Sequence, residues 1–121
     1  MCGIAGFVDT GSFKKPGLAD LDTMLDTMAH RGPDGQGIFH KRYVGLGLRR
    51  LSVIDLSAPS EPLAGPSGRA WITFNGEIYN HKRLRRDLEA KGHRFRTRTD
   101  TEVIVHLYEE EGEGAIARLD G

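Results

Sequence analysis

The chain holds one cysteine in 121 residues, one tryptophan and 7% aromatic residues, and it has no net charge, its 17 basic side chains matching its 17 acidic ones. A single cysteine closes no internal disulfide, which excludes the stapled framework of a small secreted domain. Without a basic excess, neither nucleic acid nor an anionic lipid surface is an expected partner. No apolar run approaches the roughly 20 residues of a membrane-spanning helix. The one early apolar stretch is interrupted at residues 11–15, so a signal peptide is not expected either, and the expected location is cytoplasmic. No metal is expected, because the five histidines, at 30, 40, 81, 93 and 106, lack ligand spacing and neither HExxH nor CxxC occurs. There is no P-loop. Gly45-Leu46-Gly47 opens like a dinucleotide fingerprint but lacks the third glycine.

What is present is a globular composition, 38% hydrophobic and 28% charged, at a length that buries roughly two-thirds of its unfolded surface in one domain. Residues 1–9 read as an apolar strand. Leu18, Leu21, Met24, Leu25 and Met28 recur at helical spacing and predict a helix over about 19–29, ended by the Gly- and Pro-rich turn at 30–35. Short strands are expected at 37–40, 43–48, 51–56 and 70–74, with a proline-bearing loop over 57–68 and a turn at Asn75-Gly76. A second helix starts after Asn80 as N-cap, with Tyr79 and Leu84 as a hydrophobic staple and Gly92 as its C-terminal glycine. A strand is expected at 93–97. Thr99 and Glu102 then form a capping box for a third helix, with Val103, Ile104, Leu107 and Tyr108 as its buried stripe and an end near Gly112. The element order predicts α+β with largely antiparallel pairing.

Few residues offer chemistry. A lone cysteine is ordinarily a small buried apolar residue. Cys2 differs by position, since removal of Met1 would leave a thiol and a free α-amine on one residue. The amine can then accept the thiol proton, the arrangement of N-terminal nucleophiles that replaces a histidine base. Asn75-Gly76 is by default a tight turn. Its side-chain amide and backbone N–H can alternatively form an oxyanion hole. Asp100 would ordinarily complement a helix dipole, and Arg49 and Arg50 would be solvated. One cation with two carboxylates, Arg50 with Glu77 and Asp100, is also what a free amino acid demands, because its two charged ends need opposite partners.

Five motifs occur in order: MCGIAGFVD at the start, HRGPDG at 30–35, RRLSVIDLS at 49–57, FNGEIYNH at 74–81 and TDTEVI at 99–104. Together they resemble the glutaminase domain of class II glutamine amidotransferases. RRLSVIDLS with NGEIYNH points to the branch found in glutamine-hydrolysing asparagine synthetases. The resemblance covers the whole chain. It implies Cys2 as nucleophile with its α-amine as base, Asn75 and Gly76 as the oxyanion hole, Arg50 at the α-carboxylate of glutamine, and Glu77 and Asp100 near its α-amino group. It also implies an N-terminal nucleophile hydrolase fold, a four-layer αββα sandwich with antiparallel sheets. Leu48 departs from the histidine often found before the two arginines, at a position with no evident catalytic role.

The resemblance implies glutamine hydrolysis to glutamate and ammonia. The ammonia would normally serve ATP-dependent asparagine synthesis from aspartate in a C-terminal synthetase domain. No cofactor is expected in residues 1–121, while ATP and Mg are expected only in that further domain. The 121 residues are expected to be the N-terminal part of the glutaminase domain, C-terminally incomplete, and such a part is expected to be marginally stable or to form homo-oligomers through uncovered sheet surface. Two alternatives remain at this point. One is a class II amidotransferase with another ammonia acceptor, and the other is a catalytically silent fragment or interaction module.

Overall fold

The structure is a computed structural model that describes residues 2–11, 13–51 and 61–121. Its elements run β1 (Gly3–Val8), α1 (Leu18–Thr27), β2 (Gly35–Lys41), β3 (Val44–Arg50), β4 (Leu63–Ala64), β5 (Trp71–Ile72), α2 (His81–Ala90), α3 (Asp100–Glu111) and a 3-10 helix (Gly112–Arg118). They sort into two compact units, Met1–Pro62 with Thr73–Asn75, and Leu63–Ile72 with Gly76–Gly121. Both sheets are antiparallel, as expected. The strand expected at 51–56 falls almost wholly outside the described residues.

In the first unit β3 lies between β1 and β2. Gly3 pairs with Arg49 and Phe7 with Gly45, so alternate residues of the two strands share a face. That face packs on α1, whose Leu21 and Leu25 are fully buried. The glycines make this fit possible. A Cβ at Gly47 would lie 2.7 Å from Leu25 Cδ1, and one at Gly45 would lie 2.5 Å from the Phe7 ring. Gly45 and Gly47 are therefore packing residues of a strand interior, which accounts for the incomplete dinucleotide fingerprint. The other face carries Ile4 and Val8, both exposed.

The core of the second unit is Leu84, Leu88, Val103, Leu107 and Ala115, with Phe95 and Leu119 packed against it. Burying each leucine contributes roughly 1.5–3 kcal/mol. Helix α2 ends as expected at Gly92, whose φ of 95° suits glycine. Gly92 N–H donates to Glu89 O and His93 N–H to Leu88 O, at 3.0 and 3.1 Å, the Schellman pattern.

Several expectations fail here for identifiable reasons. The strand expected at 70–74 shrinks to Trp71–Ile72, and its partner Leu63–Ala64 comes from the stretch expected to be loop. Asn80 occupies the N-cap position without capping. Its amide instead donates to Arg118 O at 2.9 Å and accepts Asp120 N–H at 3.2 Å. Tyr79 is 76% exposed, so no staple forms, and its backbone N–H donates to Asp120 O at 2.7 Å. Tyr108, expected in the buried stripe of α3, is exposed. Residues 93–97 form no strand: His93 N–H is taken by Leu88 O, and the N–H groups of Arg96 and Thr97 go to the Glu102 side chain instead of a ladder.

Candidate functional site

Register places the candidates of the first unit. Continuing the pairing of Gly3 with Arg49 brings Cys2 to the end of β3, where its half-buried sulfur accepts the Leu51 N–H at 3.4 Å. Asn75 reaches the same place from the far end of the unit. Its Nδ2 donates to Cys2 O at 3.1 Å across 73 residues of sequence. The approach of Asn75 is fixed one residue earlier, where Phe74 N–H donates to a Glu61 carboxylate oxygen at 2.7 Å. Glu61 had no signal in the sequence beyond being an isolated acid in a proline-bearing loop.

Alternation along β3 separates the two arginines. Arg49 shares the α1 face and is a structural clamp, donating to Leu25 O at 3.0 Å and to Asp26 at 2.6 Å. Arg50, half-buried, takes the opposite face, the one on which Cys2 falls by register. Its backbone is braced by the HRGPDG turn. Asp34 N–H donates to Arg50 O at 3.1 Å, and Pro33 forms a bridge to Arg50. Gly32 lies so close that an added Cβ would meet Arg49 backbone atoms at 2.3 Å. The motif thus presses a turn against the strand end that carries Arg50, a role for which any side chain at Gly32 is too large.

Gly76, Glu77 and Asp100 belong to the second unit. Gly76 and Glu77 are exposed, and the next residue, Ile78, is buried. Asp100 is the first residue of α3, and its Oδ2 accepts the Ile78 N–H at 2.8 Å. Its Oδ1 accepts the Thr101 N–H at 2.9 Å. Asp100 therefore ties the segment following the Asn75-Gly76 turn to the start of α3.

Two residues after Asp100 lies a second carboxylate, Glu102, expected from sequence only as a capping residue. Thr99 caps α3 as expected, its Oγ1 accepting the Glu102 N–H at 3.4 Å. Glu102 does not return the bond to Thr99. It is fully buried and accepts the N–H groups of Arg96 and Thr97 at 2.8 and 2.6 Å. Burial pushes its carboxyl up, but those N–H groups, the Thr97 hydroxyl and nearby His106 reverse this, holding it below the usual range. His106, 1% exposed, has its Nε2 3.5 Å from Glu102 and its Nδ1 3.0 Å from His93 Nδ1. Burial lowers its pKa, with Glu102 opposing and His93 assisting. The only sign in the sequence of an inward-facing acid is that Glu102 directly precedes the apolar pair Val103-Ile104.

Among the described residues no group of three or more His, Cys, Asp or Glu side chains could hold a metal ion, and no helix is long and apolar enough to cross a membrane. The first unit offers a thiol beside a donor amide at the end of β3 and a guanidinium on that strand, and the second unit, taken by itself, offers a carboxylate at the start of α3.

Comparison with known proteins agrees with this inventory. The glutamine amidotransferase domain family matches residues 1–121. Over its whole length the chain is 42% identical to asparagine synthetase [glutamine-hydrolyzing] 1 of Bacillus subtilis, covering 20% of that protein. It is 43% identical to asparagine synthetase [glutamine-hydrolyzing] 3 of Arabidopsis thaliana, covering 21%, and 44% identical to the Sandersonia aurantiaca asparagine synthetase, covering 23%. The chain thus spans about a fifth of the length of these relatives, which are enzymes by name. A mixed α/β chain with antiparallel sheets is consistent with an amidotransferase domain of the N-terminal nucleophile hydrolase type. By a match over its full length and by the sequence of its relatives, the chain belongs to the glutamine amidotransferase domain family.

Proposed function

We propose that the chain hydrolyses the side-chain amide of glutamine, with Cys2 as the nucleophile after loss of Met1. The observation that carries this reading is the bond from Asn75 Nδ2 to Cys2 O at 3.1 Å. An amide nitrogen has two donors. With one held on the backbone of the nucleophile's own residue, the other is free to stabilise an oxyanion formed beside the sulfur.

The steps follow from the groups present. The α-amine of Cys2 accepts the thiol proton, and the sulfur attacks the amide carbon of glutamine. Asn75 Nδ2 and Gly76 N–H stabilise the tetrahedral oxyanion. The protonated amine gives its proton to the departing nitrogen, and ammonia leaves a γ-glutamyl thioester. Water, deprotonated by the same amine, hydrolyses the thioester to glutamate and restores the thiol. Arg50 is assigned to the α-carboxylate, and Glu77 and Asp100 to the α-ammonium. The ammonia would pass to asparagine synthesis, with ATP and Mg handled outside these residues. The relatives' names and their fivefold greater length support that assignment. The expected location is cytoplasmic.

Replacement of Cys2 by Ala is expected to abolish release of glutamate from glutamine. Undiminished activity, or an intact mass showing Met1 retained in active protein, would overturn the nucleophile assignment.

A further inference from the structure

The turn from Arg96 to Glu102 is held in an unusual way. Its strand-like sequence forms no ladder, yet the backbone donors of Arg96, Thr97, Thr99, Thr101 and Glu102 go to side chains of the turn itself or of α3. Arg96 and Thr97 N–H reach the buried Glu102 carboxylate. Thr99 N–H reaches Thr97 Oγ1 at 3.2 Å, and the two threonine hydroxyls share a bond of 2.9 Å. From outside, Arg85 donates to Thr97 O at 2.7 Å and lies 4.4 Å from the centre of the Phe95 ring, which also stacks on His106 at 4.2 Å. Asp100 is the next residue on this turn, and its carboxylate holds Ile78 N–H.

Both Asp100 oxygens therefore already accept one backbone N–H each, which fixes the plane of the carboxylate and leaves one lone-pair direction on each oxygen. The backbone at 96–99 leads directly into Asp100, so it helps to set where that carboxylate stands. A buried carboxylate is a costly group to keep for helix capping alone, since an exposed Glu would serve a capping box.

We propose that Glu102 is a positioning residue for substrate recognition, holding the Arg96–Thr99 turn so that Asp100 presents its free lone pairs to the α-ammonium of glutamine. The proposal rests on the assignment of Asp100 to that ammonium and adds to it the group that aims it. Glu102 touches no substrate. Its replacement by Gln puts an NH2 group against one of two backbone N–H donors and so releases one end of the turn.

The test compares two substrates in the full-length protein: glutamine, and 4-carbamoylbutanoate, which is glutamine without its α-amino group. Asp100→Asn should reduce the preference for glutamine sharply, and Glu102→Gln should reduce it by about tenfold or more, the size of one misaligned charge-assisted hydrogen bond. The loss should lie in KM for glutamine, with kcat little changed and with turnover of 4-carbamoylbutanoate near the parent value. Equal losses on both substrates for Glu102→Gln would show a merely structural role and overturn the proposal. A preference unchanged by Asp100→Asn would instead overturn the ammonium assignment beneath it. If Glu102→Gln fails to fold, Thr99→Ala, which removes the hydroxyl shared with Thr97 and Glu102 N–H, is read by the same two-substrate comparison. A preference retained there would likewise overturn the proposal.

Discussion

The thiol end of the first unit and the Asp100 turn of the second are held by different physics. Cys2, Asn75 and Arg50 are placed by main chain: a strand register, a donor amide on a backbone carbonyl, and a turn pressed against the end of β3. Asp100 is placed by buried charge, through a carboxylate that gathers the backbone donors of an irregular turn. A ladder delivers position cheaply, because alternation fixes the face of every side chain once one pair is set. A turn without a ladder must recruit side chains to satisfy its donors, and a buried acid brings with it a dependence on protonation.

The sharpest way to break this comparison is at Asn75. If its amide donates to the oxyanion, Asn75→Ala should lower kcat for glutamine roughly 10²–10³-fold, the loss measured when one such donor is removed elsewhere, with KM little affected. The fold of the first unit should survive, because the residue is exposed and β1–β3 pairing does not involve it. A kcat within a few-fold of the parent would reduce Asn75-Gly76 to the plain turn that the dipeptide also encodes.

Next in size is the contrast between the two arginines. Arg50→Ala should raise KM for glutamine by about 10–100-fold, the worth of one or two charge-assisted bonds to a carboxylate. Arg49→Ala should leave KM alone and act on stability. It leaves Leu25 O without its partner and removes a pair with the largely exposed Asp26, so stability should fall by about 1 kcal/mol while KM stays close to the parent value. Steady-state kinetics and urea melts on the two variants decide the matter. Equal effects on KM would mean that alternation along β3 does not sort the pair.

How far each region could be read in advance follows the same division. β1, α1, β2 and β3 were legible, because apolar spacing and Gly-Pro punctuation act locally. Cys2, Asn75, Arg50 and Asp100 entered as candidates through motif resemblance and through the chemistry of a free amino acid. The face of Arg49, the brace at Gly32 and the support of Asn75 by Glu61 were not, because each depends on a pairing between segments far apart in sequence. Residues 93–97 misled for a related reason. Alternating polar and apolar side chains resemble a strand, but here Phe95 turns toward His106 and Arg85 while the backbone turns toward Glu102. Tyr79 and Asn80 failed as staple and cap because both are bonded to the backbone of residues 118–120, Tyr79 through its N–H and Asn80 through its side-chain amide.

The smallest expected effect separates the two regions by pH. Glu102 has a folded pKa below its ordinary value of 4.5, so the folded chain binds fewer protons there than the unfolded chain. Its contribution to stability is complete above that ordinary value and is lost as pH falls through the lower folded value. His106 is also lowered from its ordinary 6.5, which means that the unfolded chain takes up the proton first on acidification. Stability is therefore also lost from about pH 6.5 downward, and the two losses have the same sign. Both groups lie in the second unit, on one face of α3 with His93 and Phe95 packed against His106. Backbone amide exchange, expressed as protection factors between pH 7 and pH 4, should show Arg96 and Thr97 losing protection as pH falls. Protection across β1 and β3 should change less over the same range, since that pairing is a backbone ladder whereas the Arg96 and Thr97 N–H groups depend on the Glu102 carboxylate. A parallel loss in both regions would mean that the Asp100 turn and the thiol end melt as one, and that the buried carboxylate sets overall stability rather than the turn alone.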